Sequence, residues 1–111
     1  MKFTGAWQDA GRFRYSREEG AAAEIAFEGT GIRWLGWAFD DAGIAEIAID
    51  GKVVARVDQF GPGRDLPFDW RHDGLAPGRH TLRIELTGDR TAKARDCFLN
   101  VAGFDLVPSG R

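Results

Sequence analysis

Residues 45–59 read AEIAIDGKVVARVDQ, and this stretch decides the fold class. Its apolar residues, Ile47 and Ile49 among them, alternate with polar or small ones, a period of two that is typical of a strand with one buried face. The pair Asp50-Gly51 follows directly, and Asp-Gly between alternating segments is a strong signal for a two-residue hairpin turn. The stretch therefore predicts two antiparallel strands, the second of them Val53 to Gln59.

The same alternation recurs in short segments on both sides of the hairpin. Turn signals such as Gly29-Thr30-Gly31 and Ala76-Pro77-Gly78 separate them, and the pattern slips around Ala102-Gly103-Phe104, where we expect a bulge. About seven to nine short strands without a crossover helix favour an all-β, antiparallel sandwich or jelly roll over an open barrel. The further strands are predicted at Ala23 to Phe27, Ile32 to Trp34, Leu66 to Arg71, His80 to Leu86 and Phe98 to Val107.

Length and charge narrow the class of protein. The chain has 111 residues, 15 of them basic and 17 acidic, for a formal net charge of -2. This length indicates one module over residues 1–107, followed by a tail or linker at 108–111. The spread of charge argues against a nucleic-acid face, and the single cysteine, Cys97, leaves no partner for an internal disulfide. With no apolar run near the roughly 20 residues of a membrane helix and no signal-peptide pattern, we expect no membrane insertion.

Three segments carry a resemblance that covers most of the chain. They read FEGTGIRWLG at 27–36, DAGIAEIAIDG at 41–51 and LAPGRHTL at 75–82, and a closing strand has Phe104 near its end. This succession resembles the galactose-binding-domain-like β-sandwich modules that are appended to bacterial glycoside hydrolases. The resemblance implies a jelly-roll fold and a carbohydrate-binding role beside a catalytic domain. If the chain is part of a larger polysaccharide-degrading protein, that protein is expected to be secreted, periplasmic or at the cell surface. Most matching residues are turn glycines and core positions, so they indicate the fold better than the ligand.

The alternation of strand directions predicts where a binding site lies. Loops at Arg17 to Gly20, Trp37 to Gly43, Phe60 to Asp65 and Asp89 to Arg95 should share the end of the sandwich that has the longer connections. A sugar site needs flat aromatic rings beside carboxylates and guanidinium groups, and this end supplies that mixture. The candidate carbohydrate-binding residues are Trp37, Phe39, Asp40, Asp41, Arg64, Asp65, Lys93 and Arg95.

Several aromatic and histidine residues have structural interpretations instead. Trp34 is in phase with an inward-facing strand and is expected in the core, Trp7 is expected to cover one end of it, and Trp70 to pack on its edge. His80 lies on the apolar side of its strand and is expected to be a hydrogen-bonded core histidine. Trp37 follows Gly36 and is expected to leave the strand pattern, as a binding platform or as a loop anchor.

Catalytic and metal-binding patterns are weak. A glycosidase needs two suitably spaced carboxyl groups, and the neighbouring Asp40 and Asp41 have no identifiable partner. Neither serine, Ser16 or Ser109, stands in a Gly-x-Ser-x-Gly motif, and the two histidines are far apart. We therefore predict a protein that is not an enzyme.

A structural calcium ion is the one cofactor that the sequence leaves open, through Glu18, Glu19 or Asp105 together with backbone carbonyls. The predicted function is a non-catalytic module that holds a poly- or oligosaccharide through loops at one end of the sandwich. The alternative is a structural or protein-interaction domain that packs against a neighbouring catalytic domain and binds no sugar, because exposed aromatic residues also serve as anchors in protein interfaces.

Overall fold

A computed structural model describes residues 2–11, 13–39, 42–61, 66–88 and 99–107. Within these ranges the secondary structure is all β, so no helix long and apolar enough to cross a membrane occurs among them. The eleven described strands are β1 Lys2–Thr4, β2 Gln8–Asp9, β3 Arg14–Ser16, β4 Ala22–Glu28, β5 Gly31–Ala38, β6 Ile44–Ile49, β7 Lys52–Asp58, β8 Leu66–His72, β9 Arg79–Leu86, β10 Leu99–Val101 and β11 Gly103–Val107.

The strands form an antiparallel sandwich of two layers, as predicted. One layer is a five-stranded sheet in the order β1-β4-β9-β6-β7. The other consists of two three-stranded groups, β11-β5-β8 and β10-β3-β2. The amide N–H of Ala102, between β10 and β11, donates to the carbonyl of Leu35 at 2.8 Å and joins the two groups. The predicted slip around Ala102 is therefore a break between two strands.

The core lies between the two layers and follows the predicted alternation. Strand β5 buries every second residue, and strands β6 and β9 do the same on the facing sheet, because successive side chains of a strand point to opposite faces. Trp34 is fully buried at the centre, as expected. The largest apolar side chains around it are Phe27, Ile32, Ile47, Ile49, Leu82, Ile84, Leu86, Leu99 and Val101.

The Asp50-Gly51 hairpin forms as predicted. Both residues have a positive φ, 54° for Asp50 and 83° for Gly51, which is the signature of a type I′ turn between right-twisting strands. The observed strand count exceeds the predicted one for two reasons. The short strands β1 to β3 lack a clear alternation in the sequence, and the predicted closing strand divides at Ala102.

Backbone contacts group the described loop segments at two ends. At one end, here called the loop end, the Gly20 amide donates to the Leu86 carbonyl, the Gln59 amide donates to the Gly43 carbonyl, and Phe39 bridges to Phe60. At the opposite end, the amide of Gly29 donates to Gly78 and that of Leu75 donates to Thr30. For the residues that the structure describes, this grouping agrees with the two ends expected from the alternation of strand directions.

Candidate functional site

Trp37 occupies a different position from the one expected. It belongs to strand β5, which continues to Ala38, and it pairs with Pro67 of β8. Its neighbours Gly36 and Ala38 are buried whereas Trp37 is half-buried, so its side chain lies on the outer face of the sheet, away from the core. The expectation that Trp37 leaves the strand pattern is therefore wrong.

The side chain of Asn100 explains why the strand continues through Trp37. The Trp37 amide N–H donates to Asn100 Oδ1, and Asn100 Nδ2 donates back to the Trp37 carbonyl, both at 2.8 Å. A side-chain amide can replace a neighbouring strand in this way because it carries both a donor and an acceptor. The backbone at Trp37 is thereby fixed on both sides, by β8 and by Asn100.

A second amide side chain completes this buried polar network. Gln59 Nε2 donates to the Asn100 carbonyl at 3.0 Å, and the Asn100 amide donates to Gln59 Oε1 at 3.1 Å. The indole N–H of Trp34 also donates to the Asn100 carbonyl, at 3.2 Å. Gln59 and Asn100 are both 0% exposed, so their polar atoms depend on these partners.

Gly36 leaves the space that the network occupies. A Cβ atom at this position would lie 2.7 Å from Asn100 Oδ1 and 2.8 Å from Gln59 Nε2, closer than non-bonded atoms approach. Gly36 is buried inside β5, so it does not mark a turn as the sequence pattern suggested. It permits the close approach of two side-chain amides to a strand.

Aromatic rings gather beside the end of β5. The ring of Phe39 lies 5.8 Å from that of Phe13, and Phe13 lies 6.1 Å from Tyr15 in an edge-on arrangement. The Phe39 carbonyl accepts hydrogen bonds from the amides of Ala42 and Gly61, at 3.2 and 2.9 Å, which fix the chain just after the strand. Trp37 and Phe39, the two aromatic candidates, therefore belong to a rigid strand end.

The other six candidate residues lie outside the residues that the structure describes, and their placement stays a prediction. So does that of Cys97 and of the tail or linker at 108–111. The six are Asp40, Asp41, Arg64, Asp65, Lys93 and Arg95.

The structure contains a cleft that sequence reasoning missed. It has a volume of about 400 Å³ and lies where β1 meets the hairpin of β2 and β3, lined by Phe3, Asp9, Gly11, Phe13, Arg14, Val101 and Ala102. Phe13 also contacts Phe39, so the cleft adjoins the aromatic rings described above. The only sequence signal for it is the run of charged and aromatic residues around Gly11, which shows no alternation.

The titratable pair with shifted pKa values lies at the opposite end of the molecule. The pair is His80 and Asp50. The pKa of His80 is raised by its hydrogen bond to the Asp50 carboxylate, 2.6 Å from Nδ1, and by a second hydrogen bond to the Ala76 carbonyl, 2.6 Å from Nε2. The same His80 contact, followed by the Thr81 amide, lowers the pKa of Asp50. Each ring nitrogen of His80 therefore faces an oxygen atom at hydrogen-bond distance, so His80 is hydrogen-bonded as expected and has no free nitrogen for acid-base catalysis, but it is only partly buried and lies outside the core cluster.

The residues considered for calcium do not converge. Glu18 accepts a hydrogen bond from the amide of Ala6 at 2.8 Å, Glu19 packs beside Gly88, and Asp105 lies 3.4 Å from the guanidinium of Arg33 on another face. Among the described residues, no three His, Cys, Asp or Glu side chains come together as a metal-binding group.

The remaining tryptophans lie where the structural interpretation placed them. Trp7 is partly buried against the core, 4.8 Å from the ring of Phe3, and its indole N–H donates to the Thr4 carbonyl. Trp70 packs against the edge of the core and stacks on His72 at 5.7 Å.

The chain is similar in sequence to segments of two known proteins. No family model matches the chain. It is 40% identical over 91 residues to a protein of Flavonifractor plautii named A type blood N-acetyl-alpha-D-galactosamine deacetylase. It is 33% identical over 91 residues to a second protein of that organism, named A type blood alpha-D-galactosamine galactosaminidase. Each match covers 76% of this chain but only 12% and 8% of the two relatives, so the chain spans a small part of their length.

Solved structures agree at the level of the fold. A Paenibacillus xanthan lyase matches with a TM-score of 0.70 and 18% identity, over 98% of this chain and 12% of that one. A family two carbohydrate esterase from Clostridium thermocellum, solved with cellohexaose, matches with a TM-score of 0.71 and 18% identity, over 94% of this chain and 30% of that one. The chain is therefore an all-β sandwich similar to a segment of several carbohydrate-active proteins.

Proposed function

We propose that this chain is a non-catalytic carbohydrate-binding module with a jelly-roll, galactose-binding-like fold, which holds a glycan at the loop end beside Trp37 and Phe39. One observation carries the proposal: a 91-residue segment of each of two carbohydrate-active enzymes is 33–40% identical to this chain, yet makes up 12% or less of either enzyme. A segment so short beside the whole enzyme is suited to an accessory role, next to a covalently linked catalytic domain.

The arrangement of side chains supports binding rather than catalysis. Trp37 and Phe39 supply aromatic surface on a rigid strand end, and an aromatic ring stacks well on the apolar face of a sugar. His80 lies at the other end of the sandwich, and both of its ring nitrogens are engaged in hydrogen bonds. Catalysis by the whole protein would then belong to other segments.

The names of the two relatives suggest the sugar class to test. One name contains N-acetyl-alpha-D-galactosamine and the other alpha-D-galactosamine, both after the words A type blood. We therefore choose N-acetyl-D-galactosamine and the A-type trisaccharide as the first probes, with cellohexaose as a glucan comparison. We expect a dissociation constant for a single sugar in the micromolar to millimolar range, because an open surface site excludes little water. This range corresponds to ~4–8 kcal/mol of binding free energy.

Affinity electrophoresis or NMR titration with these probes tests the proposal. Trp37→Ala should abolish binding and leave the melting temperature within a few degrees, because the side chain lies on the outer face. Leu35→Ala is the matched control, since Leu35 is half-buried on the same face of the same strand, and it should bind as the original chain does. Equal loss of folding and binding in Trp37→Ala would show that Trp37 is a structural residue.

The alternative function, an interaction domain that binds no sugar, has one observation in its favour. Val53 and Val54 are 59% and 39% exposed on β7, one of the two edge strands of the five-stranded sheet. An apolar edge strand can pair with or pack against another domain. The titration separates the two functions, because this alternative requires no response to any of the sugars.

A further inference from the structure

The cleft between β1 and the hairpin of β2 and β3 is lined by one acidic and one basic side chain. Asp9 and Arg14 are directly paired across the hairpin and both line the cleft. Residues directly opposite in an antiparallel pair project to the same side of the sheet. Nevertheless no ion pair joins them in the described part of the chain.

The guanidinium of Arg14 lies against an aromatic ring while its donors stay available. It lies over the ring of Phe3, 5.1 Å from the ring centroid, which is a cation–π geometry. Within the described ranges, Arg14 has no hydrogen-bond or ion-pair partner for its side chain. A planar group with several donors that lies against an aromatic ring at the wall of a cleft is suited to bind a ligand oxygen.

Asp9 supplies the complementary acceptor. Its Oδ1 accepts the amide N–H of Gly11 at 2.8 Å, which orients the carboxylate at the turn of the hairpin. Its Oδ2 has no partner among the described residues. The cleft therefore presents fixed donors on one side and a fixed acceptor on the other, between apolar walls that include Val101.

This combination matches one kind of ligand chemistry. A hydroxyl both donates and accepts, so neighbouring hydroxyls of an uncharged sugar ring can satisfy Asp9 and Arg14 together. A carboxylate or phosphate would bring negative charge next to Asp9. The cleft volume of about 400 Å³ lies within the range of small-molecule sites, about 300–1,000 Å³.

Phe13 connects the cleft to the proposed loop-end site. It lines the cleft and its ring lies 5.8 Å from that of Phe39. We propose that the cleft is a second sugar subsite, continuous with the loop end through Phe13, so that the domain binds several units of an uncharged oligosaccharide. This inference rests on the proposed carbohydrate-binding function and deepens it, because it adds a second position for a sugar unit beside the loop end.

An NMR titration of the ¹⁵N-labelled 111-residue chain tests the inference residue by residue. The probes are N-acetyl-D-galactosamine, the A-type trisaccharide and cellohexaose. We expect at least one oligosaccharide to shift the amide of Gly11 and the Nε–H of Arg14 together with the indole N–H of Trp37. The indole signals of Trp34 and Trp70 serve as internal references, because these side chains lie on the inner face.

Substitutions then assign the effect to the cleft. Arg14→Ala should weaken binding of that oligosaccharide about tenfold, the effect of losing a hydrogen bond to a charged group. Arg14→Lys keeps a cation over Phe3 and protects the fold, yet it should recover only part of the affinity because it lacks the planar fork. Arg71→Ala is the control, since Arg71 pairs with Asp73 at the opposite end, and it should bind normally.

The outcomes separate the two proposals. If oligosaccharides shift only Trp37 and its surroundings, and Arg14→Ala binds as tightly as the original chain, the second subsite is refuted while the loop-end site stands. If none of the three probes shifts any signal, carbohydrate binding by this chain is refuted, and the cleft proposal fails with it.

Discussion

Replacement of Asn100 by alanine should destabilise this domain more than its single side chain suggests. Asn100 is 0% exposed, and its side-chain amide bonds both the N–H and the carbonyl of Trp37 at 2.8 Å. Among the hydrogen bonds given above, those from β10 to the backbone of Trp37 come from this side chain. Asn100→Ala therefore removes the hydrogen bonds that this side chain makes to both backbone groups of Trp37, and it opens a cavity beside Gly36.

The size of the effect follows from these two groups. An unsatisfied buried donor or acceptor costs about 1–3 kcal/mol. Trp37 is half-buried, so water reaches part of its backbone and the lower half of that range applies to each group. We expect a loss of about 2–4 kcal/mol in the free energy of unfolding. For a domain of this size, where 1 kcal/mol shifts the melting temperature by about 4 °C, that loss lowers it by about 8–16 °C.

Thermal unfolding followed by circular dichroism measures this loss. Gln8→Ala is the control, because Gln8 accepts one hydrogen bond from the Tyr15 hydroxyl on an exposed hairpin and should cost no more than about 0.5 kcal/mol. Asn100→Asp keeps the acceptor for the Trp37 amide but sets a carboxylate against the Trp37 carbonyl. The pKa of that carboxyl should rise in the folded state, so this variant should regain stability as the pH falls. An Asn100→Ala domain that melts within 2 °C of the original would refute the role given to the network.

Three further predictions follow from buried or constrained positions. Trp34→Ala should cost about 3–5 kcal/mol in urea denaturation, and Trp37→Ala about 1 kcal/mol, because Trp34 is in the core and Trp37 is on the outer face. Gly36→Ala should destabilise strongly because its Cβ would lie 2.7 Å from Asn100 Oδ1, whereas Gly103→Ala, with nothing within 4 Å, should be tolerated in the same assay. The His80 pKa is raised above 6.5, so the stability that this residue contributes should be complete below pH 6.5 and decline as the pH rises through its folded pKa. His80→Gln, and Asp50→Asn, which keeps a favoured turn residue, should both flatten that pH dependence in thermal unfolding.

Local patterns were enough to predict the hairpin of β6 and β7. The alternation around Ile47 and the pair Asp50-Gly51 encode strand and turn within a few residues, so no long-range information is needed. The burial of Trp34 follows from the same period of two. The grouping of the loops at two ends could also be predicted. Antiparallel neighbours reverse direction at each short turn, so every second loop lies at the same end of the sandwich.

The position of Trp37 could not be predicted in this way. Its strand is completed by Asn100, 63 residues away, and by Gln59, which lies 41 residues from Asn100. Both are polar residues that a hydropathy pattern assigns to the surface, although both are fully buried. The cleft escaped prediction for a related reason, because the strands that form it are only two or three residues long and show no period.

Gly36 links the buried amide network to the proposed sugar site. In the sequence it looks like a glycine that ends a strand and releases Trp37 into a loop. In the structure it admits two buried amides that hold Trp37 in the strand, so the aromatic surface proposed to bind sugar is rigid before the ligand arrives. A rigid site loses little conformational entropy on binding, and the weak affinity of each sugar contact is then limited by contact area. A second subsite in the adjoining cleft is the way such a domain gains affinity without a deeper pocket, because each further sugar unit adds contacts to a surface that is already ordered.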